Sequence, residues 1–176
     1  MKQWLTKTGL LVMLFFLAAC GFQLRGSLNM PPLMLKTFVK SDAPYASMPT
    51  AMRKELLSAG VVVPSSNDNA TAVIQILNHH SDKRLLSVGS SGKATEYELF
   101  EAIGFRLLDA HNKVVIERQD LRITRDYVFD ETRLLGEFEE AEHIRRQMQQ
   151  ELAKRVLKRI EVRLKQNGTV LPQSPN

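Results

Sequence analysis

The chain contains a single cysteine, Cys20, among its 176 residues. No internal disulfide is therefore possible, and no cysteine-based zinc site can be assembled. Histidine does not fill the gap. His79 and His80 are adjacent, so in a strand they point to opposite faces, while His111 sits among turn formers and His143 falls on a helical stripe. No His-Glu-x-x-His spacing occurs. A phosphate loop is also missing: Ser87 replaces the first required glycine of the segment ending in Gly92-Lys93, and Ala94 replaces the magnesium-binding hydroxyl. Ser90-Ser91-Gly92-Lys93 has the serine-lysine spacing of some acyl-transfer enzymes but none of their companion motifs, and a hairpin tip accounts for it. Glu96, Glu98 and Glu101 read as solvated strand carboxylates, with nothing nearby to build a cleft. No enzymatic chemistry, metal or cofactor is expected, and there is no internal repeat.

Charge of one sign is scarce as well. The formal net charge is +5, and it falls to +3 once Lys2 and Lys7 of the first nineteen residues are set aside (22 basic against 19 acidic). No concentrated basic stripe of the kind that binds nucleic acid is present. Hydrophobic residues make up 44% and charged residues 24%, the balance of a globular chain rather than a disordered one.

What is present begins at the N-terminus. Lys2 and Lys7 precede an apolar run from Gly9 to Leu17, which is too short for a stable membrane span, and small residues Ala18 and Ala19 follow. That is the order of a secretory leader. Cysteine comes next, and Leu17-Ala18-Ala19-Cys20 resembles the bacterial lipobox, in which the thiol takes a diacylglycerol, the leader is cut away and the new amino terminus is acylated. One acyl chain holds only weakly, but three anchor firmly without a transmembrane helix. Gly21, where aspartate would retain a lipoprotein at the inner membrane, resembles lipoproteins sent to the outer membrane. Residues 1–19 are read as the leader, 20–32 as a lipidated tether containing Pro31 and Pro32, 33–168 as one domain, and 169–176 as a tail.

Within the domain, Leu33 to Lys40 reads as a first strand. Met48, Met52, Leu56 and Ala59 fall at helical spacing ahead of Gly60, a C-terminal stop. Val61 to Val63 reads as a brief strand and Ser65 to Asn69 as a loop. Thr71 to Leu77 is β-prone, and the strand runs raggedly on to Val88. The turn Gly89 to Gly92 then leads to a strand with Tyr97, Leu99, Ile103, Phe105 and Leu107 on one parity. After the turn at Asp109 to Asn112, Val115, Leu121, Ile123, Tyr127 and Phe129 share a parity that Glu117 and Gln119 interrupt, which predicts a bulge or an exposed middle there. Phe138, Ala141, Ile144, Met148, Leu152, Val156, Ile160 and Leu164 mark one stripe of a long helix. Its acids (Glu137, Glu139, Glu140, Glu142) and its bases (Lys154, Arg155, Lys158, Arg159, Arg163, Lys165) suit the helix dipole, and Asn167-Gly168 stops it. The predicted fold is α+β, with two helices packed on one face of a mostly antiparallel four-stranded sheet. Lys83, Arg84 and Lys93, flanking the 89–92 turn, are the candidate contacts for phosphate-bearing lipid.

Several stretches carry a resemblance in order along the chain. They are Cys20-Gly21-Phe22-Gln23-Leu24-Arg25 after the lipobox, Ala51 to Val61 with its glycine stop, Gly92-Lys93-Ala94-Thr95-Glu96-Tyr97-Glu98-Leu99 at the start of a hairpin strand, and Arg125 to Asp130 before the final helix. Together they resemble LptE, the LPS-assembly lipoprotein family of the Gram-negative outer membrane, over nearly the whole mature chain. The resemblance implies two helices against a mostly antiparallel sheet, and a partner, the β-barrel LptD, whose lumen such proteins plug while assisting its assembly. It also implies lipopolysaccharide binding and no covalent chemistry. Some members have an arginine at the hairpin tip, where this chain has Ser90, with Lys93 the nearest cation. Two other readings compete: a lipid-carrying auxiliary lipoprotein of an envelope transporter, which needs an enclosed apolar pocket, and a lipoprotein hydrolase, which needs a nucleophile and base in a cleft.

Overall fold

The computed structural model describes residues 30–129 and 134–166, apart from the side chains of residues 134, 135 and 137. The leader, Cys20, most of the tether, the Asn167-Gly168 stop and the 169–176 tail lie outside the described residues. The chain forms an α+β fold of two helices and a four-stranded sheet: β1 (Thr37–Lys40), α1 (Ser47–Ser58), β2 (Ala72–Val88), β3 (Ala94–Asp109), β4 (Val114–Val128) and α2 (Leu134–Gln166). The sheet order is β1-β2-β3-β4. β1 pairs parallel to β2, with Thr37 opposite Ala72 and Val39 opposite Ile74. The other two pairings are antiparallel. A parallel pair needs a crossover, and α1 supplies it.

The first strand is shorter than its sequence predicts. Pro32–Met34 forms a 3-10 turn, because Pro32 has no amide hydrogen to offer a sheet while its fixed φ suits a helical turn. Val61 to Val63 contributes only an isolated bridge, Lys36 to Val62. α1 ends where the sequence places its stop. Gly60 adopts φ +78°, which lets the Val61 amide donate to the Leu56 carbonyl at 3.0 Å and the Gly60 amide to the Leu57 carbonyl at 3.0 Å. Those bonds satisfy carbonyls the helix end leaves unpaired, and they bring buried Val61 back onto buried Leu56.

β2 and β3 form a hairpin roughly 50 Å long. Its register shifts at Ile76/Asn78 and again near Leu85 to Val88, the raggedness expected of β2. The bulge anticipated in β4 lies between the pairs Phe105–Gln119 and Leu107–Ile116. It turns Ile116 inward to 4% exposure and leaves Val115 only partly buried, reversing the predicted parity at that end. In β3, Leu99, Ile103, Phe105 and Leu107 are buried on one parity as expected.

α2 buries Ala141, Met148, Leu152, Val156, Ile160 and Leu164, and also Ala153 and Leu157. The buried band is wider than a single stripe because α2 meets α1 as well as β3 and β4. Phe138 departs from the stripe and is 68% exposed. One cluster joins both helices and all four strands, and buried Val73 and Leu108 lie outside it. No helix among the described residues is long and apolar enough to cross a membrane.

Candidate functional site

The candidate cations come from two faces of the sheet. Lys83 and Arg84 are neighbours in β2 and project oppositely. The Lys83 ammonium lies 3.8 Å from the centre of the Tyr97 ring and 5.3 Å from those of Tyr127 and Phe129. The rings form a cluster of their own, with Tyr97 stacked on Tyr127 at 5.9 Å and edge-on to Phe129 at 5.3 Å. A cation against an aromatic face is held by the ring quadrupole, worth roughly 0.5–2 kcal/mol. Arg84 lies over Phe100 on the other face at 5.0 Å and within 3.9 Å of Glu98. Lys93 is exposed at the hairpin tip. The three cations thus share one end of the sheet but not one face. The same end carries exposed Leu85, Leu86, Val88, Val128 and Phe138, so charge and apolar surface lie side by side there.

The Arg84 face is polar through its middle, while Val73 and Leu108, on the same face at the far end, are buried at 0% and 4%. His80 meets Phe100 edge-on at 5.8 Å, Arg106 donates to Gln75 at 2.9 Å, and Arg118 forks onto Asp120 at 2.8–3.2 Å. Their mutual attraction lowers the Asp120 pKa and raises that of Arg118. Gly104 makes room for this crowd. A Cβ built there would fall on Asn78 Oδ1, 2.9 Å from Asp120 Oδ1 and 3.2 Å from Arg118 Nη2, so the missing side chain lets β2 and β4 residues meet across β3. Glu96, Glu98, Arg118, Asp120 and Arg122 belong to this polar surface, and Glu96 accepts a hydrogen bond from Ser87 at 3.0 Å.

Glu101 corrects the sequence reading. It is not solvated: it is 0% exposed. Its Oε2 lies 2.6 Å from His79 Nε2, and its Oε1 accepts from Ser81 Oγ at 2.7 Å and from Gln149 Nε2 at 3.4 Å. Arg145 of α2 stands 3.5 Å away. A buried charge is tolerable only when so surrounded, and here the carboxylate ties β2, β3 and α2 together. Serine and histidine both bond to the carboxylate rather than to each other, so the trio is not a nucleophile-base pair. The signal was in the alternation of β3, since Glu101 has the parity of Leu99 and Ile103. The aromatic cluster around Lys83 was also missed, because it joins residues far apart in sequence.

Among the described residues no group of three or more histidines, cysteines, aspartates or glutamates is placed to hold a metal. His79 and His80 do face apart, as their adjacency required. In α2, Glu161 is 3% exposed and accepts from Lys158 at 2.8 Å and Lys165 at 2.7 Å. Those ammonium groups, Lys158 first, hold its carboxyl below the ordinary 4.5. A depressed carboxyl pKa stabilises the fold fully above the unfolded value and loses that contribution as pH falls through the folded one. Glu161→Gln is therefore expected to reduce stability at neutral pH, with the gap from the parent narrowing as pH drops below 4.5. Urea denaturation at a series of pH values checks this, and a gap that is constant with pH would contradict it.

Comparison with known proteins converges on one group. A family model described as LptE, lipopolysaccharide-assembly, matches residues 38–160. The LPS-assembly lipoprotein LptE of Photorhabdus laumondii is 25% identical over 143 residues, covering 81% of this chain and 78% of that protein. That of Yersinia enterocolitica is 26% identical over 149 residues, covering 81% and 69%. Among solved structures, uncharacterized lipoprotein B from Nitrosomonas europaea aligns with a TM-score of 0.68 at 25% identity, over 84% of this chain and 94% of that one. Rare lipoprotein B from Shewanella oneidensis shares the fold at a TM-score of 0.61 and 24% identity, over 74% and 98%. The matched span runs from β1 to the last turns of α2 and contains both the buried Glu101 and the polar sheet face: the chain belongs to the LptE lipopolysaccharide-assembly family.

Proposed function

We propose that this protein is an outer-membrane lipoprotein, acylated on Cys20 in the periplasmic leaflet, that plugs an LptD-like β-barrel, assists its assembly and takes part in binding and exporting lipopolysaccharide. The polar face of the sheet carries the reading. Barrel interiors are polar, so a plug needs a firm, water-compatible surface, and Arg84, Glu98, Arg118, Asp120 and Arg122 provide one. In this arrangement both helices cover the opposite face, around Val39, Ile74, Leu99 and Ile103, and leave the stretch from Arg84 to Arg122 of the polar face open. The leader (1–19) is removed, the domain spans 33–168, and the 20–32 tether reaches at most ~40 Å, enough for an anchor in the leaflet and a body in the barrel. Non-catalytic work fits a family of assembly lipoproteins and a polar cluster with no nucleophile-base pair.

The relatives' names supply the cargo, and the hairpin end supplies its chemistry. Phosphates would meet Lys83, Arg84 and Lys93, and acyl chains would meet Leu85, Leu86 and Val88. Neutralising all three cations together is expected to lower lipopolysaccharide affinity about a hundred-fold or more, since each lost charge-assisted contact removes roughly 1 kcal/mol or more. Lipopolysaccharide titration of the triple variant checks this, and undiminished binding would place the contact elsewhere. The plug itself is tested by purifying the tagged lipoprotein from solubilised outer membranes. A barrel in stoichiometric amount is expected, and its absence would remove the plug.

A further inference from the structure

We propose that the groove between the outer edge of β4 and the arginine row of α2 takes an acidic, extended segment of a partner protein, which adds to the sheet as a strand beside residues 120–124. Neither the anchor nor the plug is needed for this.

β4 ends the sheet, so one of its sides carries backbone groups that no strand meets. Register identifies them. The Phe129 amide donates to the Thr95 carbonyl at 2.8 Å, and pairing runs without a shift from Glu96–Val128 to Phe105–Gln119. Bonded and unbonded pairs alternate between antiparallel strands. Arg125, Ile123 and Leu121 therefore bond β3, whereas the amides and carbonyls of Thr124, Arg122 and Asp120 point outward. Among the described residues these outward groups have no backbone partner. The edge is closed on either side of them. Below, at the bulge, Gln119 Nε2 donates to the carbonyls of Glu117 and Arg118 at 3.4 and 3.0 Å. Above, Arg125 reaches across to Gln147 and Glu151 at 3.0 and 3.2 Å.

α2 supplies the other wall. Gln147, Glu151, Arg155, Arg159 and Arg163 recur every fourth residue and share one side of the helix. The bonds of the first two to Arg125 turn that side toward β4. The groove beyond has a volume of about 550 Å³, and Leu121, Arg155, Arg159, Val162 and Arg163 line it. Glu151 takes Arg155, but among the described residues Arg159 and Arg163 have no carboxylate partner. Four helical residues rise about 6 Å, and two strand residues about 6.6 Å. Carboxylates at alternate positions of an extended segment can thus meet both arginines while its backbone pairs with Arg122 and Thr124, the main chain giving affinity and alternate side chains specificity. A second copy of β4 is the wrong occupant, since a continuous sheet would set two arginine rows against each other. A phosphate or lipid head group would use the arginines but leave the strand edge unpaired.

The probe is an octapeptide of alternating glutamate and threonine with blocked ends, added to the full lipoprotein in detergent micelles. Binding is expected to saturate below about 1 mM. Amide hydrogen exchange should slow at Arg122 and Thr124 and stay unchanged at Val39, in the strand at the opposite edge of the sheet. N-methylation of the peptide amides that face β4 is expected to weaken binding about ten-fold or more, and lysine in place of glutamate to abolish it. Arg159→Glu/Arg163→Glu should weaken it about ten-fold or more as well, with the melting temperature in place because both side chains are exposed. Equal binding by the N-methylated peptide overturns the added strand and leaves a site for any anion. Exchange unaltered at Arg122 and Thr124 under saturating peptide, or no saturable binding at all, overturns it too.

Discussion

Glu101→Ala is expected to destabilise the protein by about 3 kcal/mol, toward the lower end of the range for breaking a buried ion pair because two of its partners reach solvent. His79 and Arg145 retain side-chain exposures of 21% and 24%, so each can recover some hydration. Gln149, only 5% exposed, loses an acceptor it does not easily replace. For a domain of this size the loss lowers the melting temperature by roughly 6–12 °C. Glu98→Ala is the control: its carboxylate is 22% exposed and 3.9 Å from Arg84, and its removal should cost no more than about 0.5 kcal/mol. Thermal unfolding of the two variants separates a carboxylate that holds β2, β3 and α2 together from one that merely wets the sheet. Equal melting temperatures would mean that Glu101 is not needed for the fold.

The second large effect concerns attachment. Cys20→Ala removes the only thiol in the chain and with it the proposed acylation site. The variant is expected to leave the membrane fraction as a soluble protein or to persist as the uncut precursor. Acyl chains contribute roughly 0.8 kcal/mol per buried methylene, far more than the surface contacts of the folded body supply, so the change should be nearly complete. Fractionation followed by mass measurement of the N-terminal peptide checks it. Unchanged membrane attachment of a variant that has lost its leader, or a parent peptide with no added lipid mass, would remove the anchor from the account.

The elements most legible in the sequence were those governed by local rules. Gly60 ends α1 because only a left-handed residue lets Val61 fold back onto Leu56, a requirement visible in the order of residues. The parity of Leu99, Ile103, Phe105 and Leu107 predicted the buried face of β3, and the interruption at Glu117 and Gln119 left a bulge or an exposed middle in β4, of which the register shift is the first. Local rules failed where tertiary partners decide. Glu101 has core parity, but its charge argued for solvent until α2 brought Arg145 and Gln149 to it. Phe138 continues a helical stripe in sequence, yet it is 68% exposed. Lys83 and Arg84 look like one cluster in a row of letters, and the pleat of β2 sends one to the aromatic cluster and the other to the polar face.

The polar face of the sheet is the surface by which the plug should meet its barrel, and a photo-reactive side chain placed at Thr124 queries it in living cells. Thr124 is exposed on β4, between Arg122 and Asp126. Irradiation is expected to yield one major adduct, between this lipoprotein and an outer-membrane barrel. No adduct with such a barrel, or adducts only with soluble periplasmic proteins, would contradict the account.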